Sequence, residues 1–143
     1  MTLADCCKKS VVTVSPTTTV DEVARIMKEK NVGSVIVTYN DVPVGIVTDR
    51  DLTLRVLAER KRADNLPVED VMTRDLSTLK GDMGLYEAIE FITERGIRRI
   101  PIVGSDEKLM GIITLDDVLL IIGREMKGVA DIIERESPDL YSF

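Results

Sequence analysis

The stretch Val44-Gly45-Ile46-Val47-Thr48-Asp49-Arg50-Asp51 returns later in the chain as Met110-Gly111-Ile112-Ile113-Thr114-Leu115-Asp116-Asp117. Each copy reads as a short apolar strand, a Thr-x-x-Asp that opens a helix, and then a hydrophobic helix. Working outward, an offset of 65 residues pairs Asp5 with Asp70, Cys7 with Met72, Thr13 with Thr78, Glu22 with Glu87 and Val35 with Ile100. One extra residue in the second hairpin loop raises the offset to 66, which pairs Gly45 with Gly111, Thr48 with Thr114 and Asp51 with Asp117. The chain is a tandem duplication of roughly 60 residues per unit.

Both units read in the same order. A lead-in (Ala4–Cys7; Glu69–Met72) precedes an extended segment, Val11–Val14 or Leu76–Leu79. An amphipathic helix follows, with Val20, Val23, Ala24 and Met27 on one face of the first and Leu85, Ala88, Ile89 and Ile92 on one face of the second. Thr19 with Glu22 predicts a capping box, and Gly84 with Glu87 a weaker version. Two hairpins come next: Ser34–Tyr39 and Val44–Thr48 around Asn40-Asp41, then Arg99–Val103 and Leu109–Thr114 around Gly104–Glu107. Their apolar runs are continuous, so both sheet faces are expected to be covered. Pro101 has no N–H to give, which predicts an edge strand or a missing donor that faces a pocket.

Closing helices are predicted from Asp49 to about Arg60 and from Leu115 to about Ile122, with a charged linker from Glu59 to Leu66. Val118–Ile122 is apolar all round, and one small unit can cover only one side of it, so the rest is expected to face the sister unit or another chain. A last helix, about Arg124 to Glu136, is predicted to end at Pro138. The resulting divisions are residues 1–65, 66–122 and 123–143. The fold class is α/β (α+β): two β-α-β-β-α units packed by their sheets into one pseudo-twofold module, plus a C-terminal helix.

Composition narrows the function. Of the 143 residues, 44% are apolar, with two Phe, three Tyr and no Trp, so aliphatic side chains must fill the core. The net charge of −6 argues against a general nucleic-acid binder. Residues 1–65 carry 10 Lys/Arg against 9 Asp/Glu, whereas residues 66–143 carry 9 against 16, so the acidic surplus lies in the second half. With no histidine, zinc sites of the usual kind, imidazole bases and Ser-His-Asp triads are not expected. The adjacent Cys6 and Cys7 make a poor disulfide framework, and Cys7, at an apolar repeat position, reads as packing. No apolar run approaches the ~18 residues of a membrane span, and Met1–Ser10 lacks the apolar core of a signal peptide, so a cytoplasmic location is expected.

The β-α-β-β-α order, the runs Val32–Val37 and Ile97–Val103, and Gly-x-x-Thr-x-x-Asp at Gly45–Asp51 and Gly111–Asp117 together resemble a tandem pair of CBS domains, a Bateman module. The resemblance spans about residues 5–122. It implies regulation rather than catalysis: binding of AMP, ADP, ATP or S-adenosylmethionine in clefts between the units, dimerisation, and a conformational report to an effector, which here must be a separate chain. No enzyme activity, cofactor or metal is expected.

Taken singly, each Thr-x-x-Asp is a helix cap, in which Thr accepts an orphan N–H and the acid reaches back. Within the repeat, the same geometry suits a ligand. A helix N-terminus favours phosphate, the Thr48 or Thr114 hydroxyl adds a hydrogen bond, and the Asp51 or Asp117 carboxylate can take the hydroxyls of a ribose. Arg98 and Arg99, where the first unit has Gly33 and Ser34, are candidate phosphate ligands, as is Arg50 inside the first motif. Asp116 replaces Arg50 in the second copy, making that pocket less welcoming to polyphosphate unless Arg98 or Arg99 offsets it. Backbone around Thr13 and Thr78 is expected to meet adenine, with Val32, Ile97 and Pro101 as apolar walls. The expected ligand is an adenine nucleotide, AMP foremost, and the expected assembly a homodimer. Two alternatives stay open: an S-adenosylmethionine-type ligand, and a protein-interaction module whose Thr-Asp pairs are only caps.

Overall fold

The computed structural model describes residues 1–136. Helix α1 (Leu3–Cys6) leads to β1 (Thr13–Val14), α2 (Val20–Lys30), β2 (Ser34–Tyr39), β3 (Val42–Thr48) and α3 (Asp49–Leu52), which continues as a π turn over Thr53–Leu57. After a 3₁₀ turn at Val68–Asp70 the order repeats as β4 (Leu79–Lys80), α4 (Leu85–Arg95), β5 (Arg99–Val103), β6 (Leu109–Thr114) and α5 (Leu115–Glu136). Each unit holds a three-stranded mixed sheet whose middle strand, β2 or β5, pairs parallel with the short first strand and antiparallel with its hairpin partner.

The repeat dictates these elements. Helix α2 buries Val20, Val23 and Met27 and stops at Asn31, whose left-handed φ of 53° releases the chain toward β2. Helix α4 buries Ala88 and Ile92 and stops at Gly96, φ 64°. Neither predicted capping box forms at these helices. Thr19 turns its hydroxyl to Asp21, which also accepts the Glu22 N–H, and Gly84 has no side chain with which to cap. Asn40 and Asp41 both take positive φ, the geometry of a tight two-residue hairpin turn, so β3 starts at Val42 rather than at Val44.

Of the two expectations for Pro101, the edge strand is excluded. Its strand is the centre of its sheet, flanked by β4 and β6. In the first unit the equivalent Ile36 donates its N–H to the Val12 carbonyl at 3.1 Å. Pro101 cannot donate, and the ladder there begins one position later, at Leu79 opposite Ile102 instead of at the Thr78 level. Both first strands are also shorter than the predicted Val11–Val14 and Leu76–Leu79.

The lead-ins cross between the units. Leu3 and Cys7 belong to the core of the second unit, with Leu79, Ile100, Ile102, Ile113 and Val118. Val68, Val71 and Met72 belong to the core of the first, with Val14, Val23, Val35 and Val47. Lys8 exchanges two backbone hydrogen bonds with Ile112 (2.9 and 3.0 Å), and Thr73 does the same with Ile46 (2.8 and 3.1 Å). The sequence boundary at 65/66 therefore does not divide the two cores. It also explains the motif glycines. A Cβ on Gly111 would lie 2.5 Å from the Lys8 carbonyl oxygen, and one on Gly45 would lie 2.4 Å from Met72 Sδ. At Gly111 only a bare backbone lets the opposite lead-in pass, whereas at Gly45 the neighbour is a side chain.

The two helices predicted at 115–122 and 124–136 are one, because Gly123 is accommodated without a break in α5. The predicted stop at Pro138 lies outside the described residues. Val118 is buried, but Leu119 is 59% and Leu120 60% exposed, so the sister unit does not cover the all-round apolar segment. The first closing helix is shorter than predicted, its regular turns ending at Leu57. Among the described residues no helix is long and apolar enough to cross a membrane.

Candidate functional site

Both Thr-x-x-Asp motifs fold into complete capping boxes. Thr48 N–H donates to Asp51 Oδ2 at 2.9 Å while Asp51 N–H donates to Thr48 Oγ1 at 3.1 Å. Thr114 N–H and Asp117 Oδ2 are 3.0 Å apart, and Asp117 N–H donates to Thr114 Oγ1 at 3.1 Å. The cap leaves something over in each case: the threonine hydroxyl hydrogen and the carboxylate Oδ1. Capping and ligand binding are therefore compatible in one motif, though each aspartate has only one uncommitted oxygen.

Different neighbours claim that oxygen. Lys8 Nζ lies 2.9 Å from Asp117 Oδ1, and Asp117 is 8% exposed. Burial alone would push the Asp117 carboxyl up, but the Lys8 ammonium and the hydrogen bonds from Thr114 outweigh it and hold the carboxyl below its ordinary range. At the first motif Arg55, one turn along the same helix, sits 3.7 Å from Asp51 Oδ1 and donates to the Val71 carbonyl at 2.7 Å.

The second motif opens into a cleft of about 400 Å³ lined by Lys8, Arg98, Arg99, Thr114, Asp116 and Asp117, a size at which small-molecule sites occur. Arg98 lies 3.9 Å from Asp116, so the second acid of this motif is partly offset, and three cations face two carboxylates. Through Lys8, Arg99 and Thr114 the cleft adjoins a second hollow walled by Val11, Val12, Val32 and Ile36 of the first unit. A charged end and an apolar end thus meet at the N-terminus of a 22-residue helix. Cys6 lines a neighbouring hollow with Lys8 and Arg124, and burial pushes its thiol up, away from reactivity.

Of the twelve residues singled out in the sequence, Arg98, Arg99, Thr114, Asp116 and Asp117 converge here. Thr13 is exposed on β1, and the adjacent Val11 and Val12 form the wall in its place. Thr78, Ile97 and Pro101 line neither this cleft nor the hollow beside it, although the Arg98 carbonyl next to Ile97 accepts the Leu115 N–H at 2.9 Å. Ile97 packs against the second core, Pro101 is buried in β5, and Arg50 is exposed. Sequence reasoning missed Lys8. Its repeat equivalent is Thr73, and only the crossing of the lead-ins brings it to Asp117. Among the described residues no group of His, Cys, Asp and Glu is placed to hold a metal.

Comparison with known proteins agrees with this architecture. The model of the CBS domain matches twice, over residues 3–58 and 68–124. An uncharacterised protein of Methanopyrus kandleri is 38% identical over 122 residues, which cover 85% of this chain and 62% of that protein, so the chain spans less than two thirds of that relative. The crystal structure of CBSX2 in complex with AMP is 28% identical with a TM-score of 0.74, covering 87% of this chain and 98% of that one. The CBS domain pair of protein MJ0100, solved with 5-methylthioadenosine and S-adenosyl-L-methionine, shares the fold at a TM-score of 0.75 and 23% identity, over 87% of this chain and 98% of that one.

Proposed function

The chain belongs to the CBS domain family, with two repeats in tandem, and on that premise we propose that it is a regulatory sensor of an adenosyl ligand, AMP foremost and ADP or ATP as well. The observation that carries this reading is the meeting of Lys8, Arg98 and Arg99 with the Thr114–Asp117 helix start, beside an apolar hollow made by the other unit. In this reading the phosphate takes the guanidinium of Arg99, the Thr114 hydroxyl and the helix N-terminus. The ribose takes Asp117, and adenine enters between Val11, Val12 and Val32. The cluster of cations favours a phosphate over the sulfonium of S-adenosylmethionine.

Because both units wall the cleft, a bound ligand holds them in one relative arrangement, and a separate effector reads that population. No covalent chemistry is assigned. We also assign a homodimer. Leu115, Leu119, Ile122, Met126, Val129 and Ile133 of α5 recur alternately four and three residues apart, the seam of a two-stranded coil. Met126 and Val129 are 67% and 60% exposed in the single chain. Sedimentation should give a dimer that Met126→Glu dissociates.

Calorimetric titration tests the sensor. AMP should bind, Arg99→Ala should weaken it about tenfold, equivalent to about 1.4 kcal/mol, and Arg50→Ala should leave it unchanged. A nucleotide should also raise the melting temperature through linkage. A chain that gains no stability from any adenosyl compound is an interaction module instead, and its Thr-Asp pairs are caps only.

A further inference from the structure

Asp117 meets the cleft with its acceptors already engaged. Oδ2 takes the Thr114 N–H at 3.0 Å, and Oδ1 is 2.9 Å from the Lys8 ammonium. A ribose O–H would also make a charge-assisted hydrogen bond to this carboxylate, but it brings no positive charge, whereas the ammonium adds an ion-pair attraction at 2.9 Å. A ribose alone therefore competes poorly with Lys8 for Oδ1. A phosphate changes the balance, since it gives the ammonium an anion of its own.

Lys8 is built for such an exchange. Its backbone is pinned by both hydrogen bonds to Ile112, while its side chain is 66% exposed against 11% for that of Asp117. The head group can swing within the cleft that Arg98 and Arg99 also line, without disturbing the fold. The carboxylate, held in its capping box, stays in place.

We propose that Lys8 determines specificity for phosphorylated adenosine: its ammonium masks Asp117 Oδ1, and a ligand phosphate draws it off and uncovers that oxygen for the ribose. Ribose and phosphate recognition are then coupled through one side chain. Adenosine, thioether nucleosides and sulfonium nucleosides, which carry no phosphate, leave the mask in place. The first motif is arranged differently: Thr73 occupies the position equivalent to Lys8, and the cation facing Asp51 Oδ1, at 3.7 Å, is Arg55 of the same helix, which also donates to the Val71 carbonyl. This inference rests on the sensor reading above.

Titration of AMP, adenosine and S-adenosylmethionine into the unchanged chain and into Lys8→Met tests it. Lys8→Gln, which removes the charge but keeps a polar side chain at this exposed position, is the second variant should Lys8→Met fold poorly. The unchanged chain should prefer AMP over adenosine by at least roughly tenfold. In both variants AMP should weaken while adenosine and S-adenosylmethionine strengthen, so that the preference collapses, and Lys8→Arg should restore it. Weakened AMP with unchanged adenosine would make Lys8 a plain phosphate ligand and overturn the mask. An undiminished preference would remove Lys8 from recognition altogether. If the unchanged chain binds none of the three compounds, the sensor reading itself fails, an outcome distinct from the other two.

Discussion

The two Thr-x-x-Asp motifs have the same backbone and opposite surroundings. Their capping-box distances agree to within about 0.1 Å, at 2.9 and 3.1 Å in one and 3.0 and 3.1 Å in the other. Yet Asp117 is buried and paired with a lysine that arrives on a crossing lead-in, whereas Asp51 is half-buried and faced by an arginine of its own helix. Local sequence sets the cap; what the remaining carboxylate oxygen meets is decided by residues distant in the chain. A motif match alone therefore predicts a helix start in both places and says little about which one receives a ligand.

The contrast is sharpest at the motif glycines, where the largest effect is expected. At Gly111 an added Cβ meets the Lys8 carbonyl oxygen at 2.5 Å and Cys7 Sγ at 2.6 Å, and backbone cannot step aside. At Gly45 the obstacle is the Met72 side chain, 2.4 Å at Sδ and 2.8 Å at Cγ, which can change rotamer. Urea denaturation should show Gly111→Ala losing about 3 kcal/mol and Gly45→Ala about 1 kcal/mol. Equal losses would mean that the two crossings are equally stiff.

Next in size come the capping acids. Asp117→Ala removes a buried cap, at about 1.5 kcal/mol, and releases the 66% exposed Lys8 ammonium to solvent, while Asp51→Ala removes a half-buried cap at about 1 kcal/mol. The smallest effect is a dependence on pH. The folded-state pKa of Asp117 lies below its ordinary value, so its contribution is whole above about pH 4, where the carboxylate is ionised folded or unfolded. That contribution drains away as the pH falls through the lowered folded value. The stability gap between the unchanged chain and Asp117→Asn, followed by urea denaturation from pH 7 downward, should close below about pH 4. A gap that persists there would detach it from ionisation.

Much of this fold was readable in the sequence because the repeat repeats its errors as well as its signals. Matching helices, hairpins and Thr-Asp pairs at fixed offsets left few arrangements open. What escaped was of two kinds. Gly123 reads as a break between helices, but a glycine costs a helix only about 1 kcal/mol, and the apolar spacing continues through it from Leu119 to Val129. Pro101 reads as an edge-strand residue, yet a central strand tolerates it by starting its parallel ladder one residue late.

The other kind is tertiary. Nothing local in Leu3–Lys8 says which core the segment joins, since Leu3 and Cys7 would suit either. Lys8 was invisible as a site residue for that reason. Arg98 and Arg99 were visible because they enter the cleft from within the same repeat as Thr114 and Asp117.

The exchanged lead-ins bear on how such a chain could have arisen. A single ancestral unit ending near residue 65 would carry an unplaced arm, Leu3 to Lys8, and a vacancy where Val68, Val71 and Met72 now sit. Two copies would cure both defects by swapping arms. Fusion of the two copies would turn an intermolecular embrace into an intramolecular one and leave neither half separable from the other. Unfolding should accordingly be one event for the whole chain, and severing the polypeptide between residues 60 and 65 should leave two pieces that reassemble rather than two domains that stand apart.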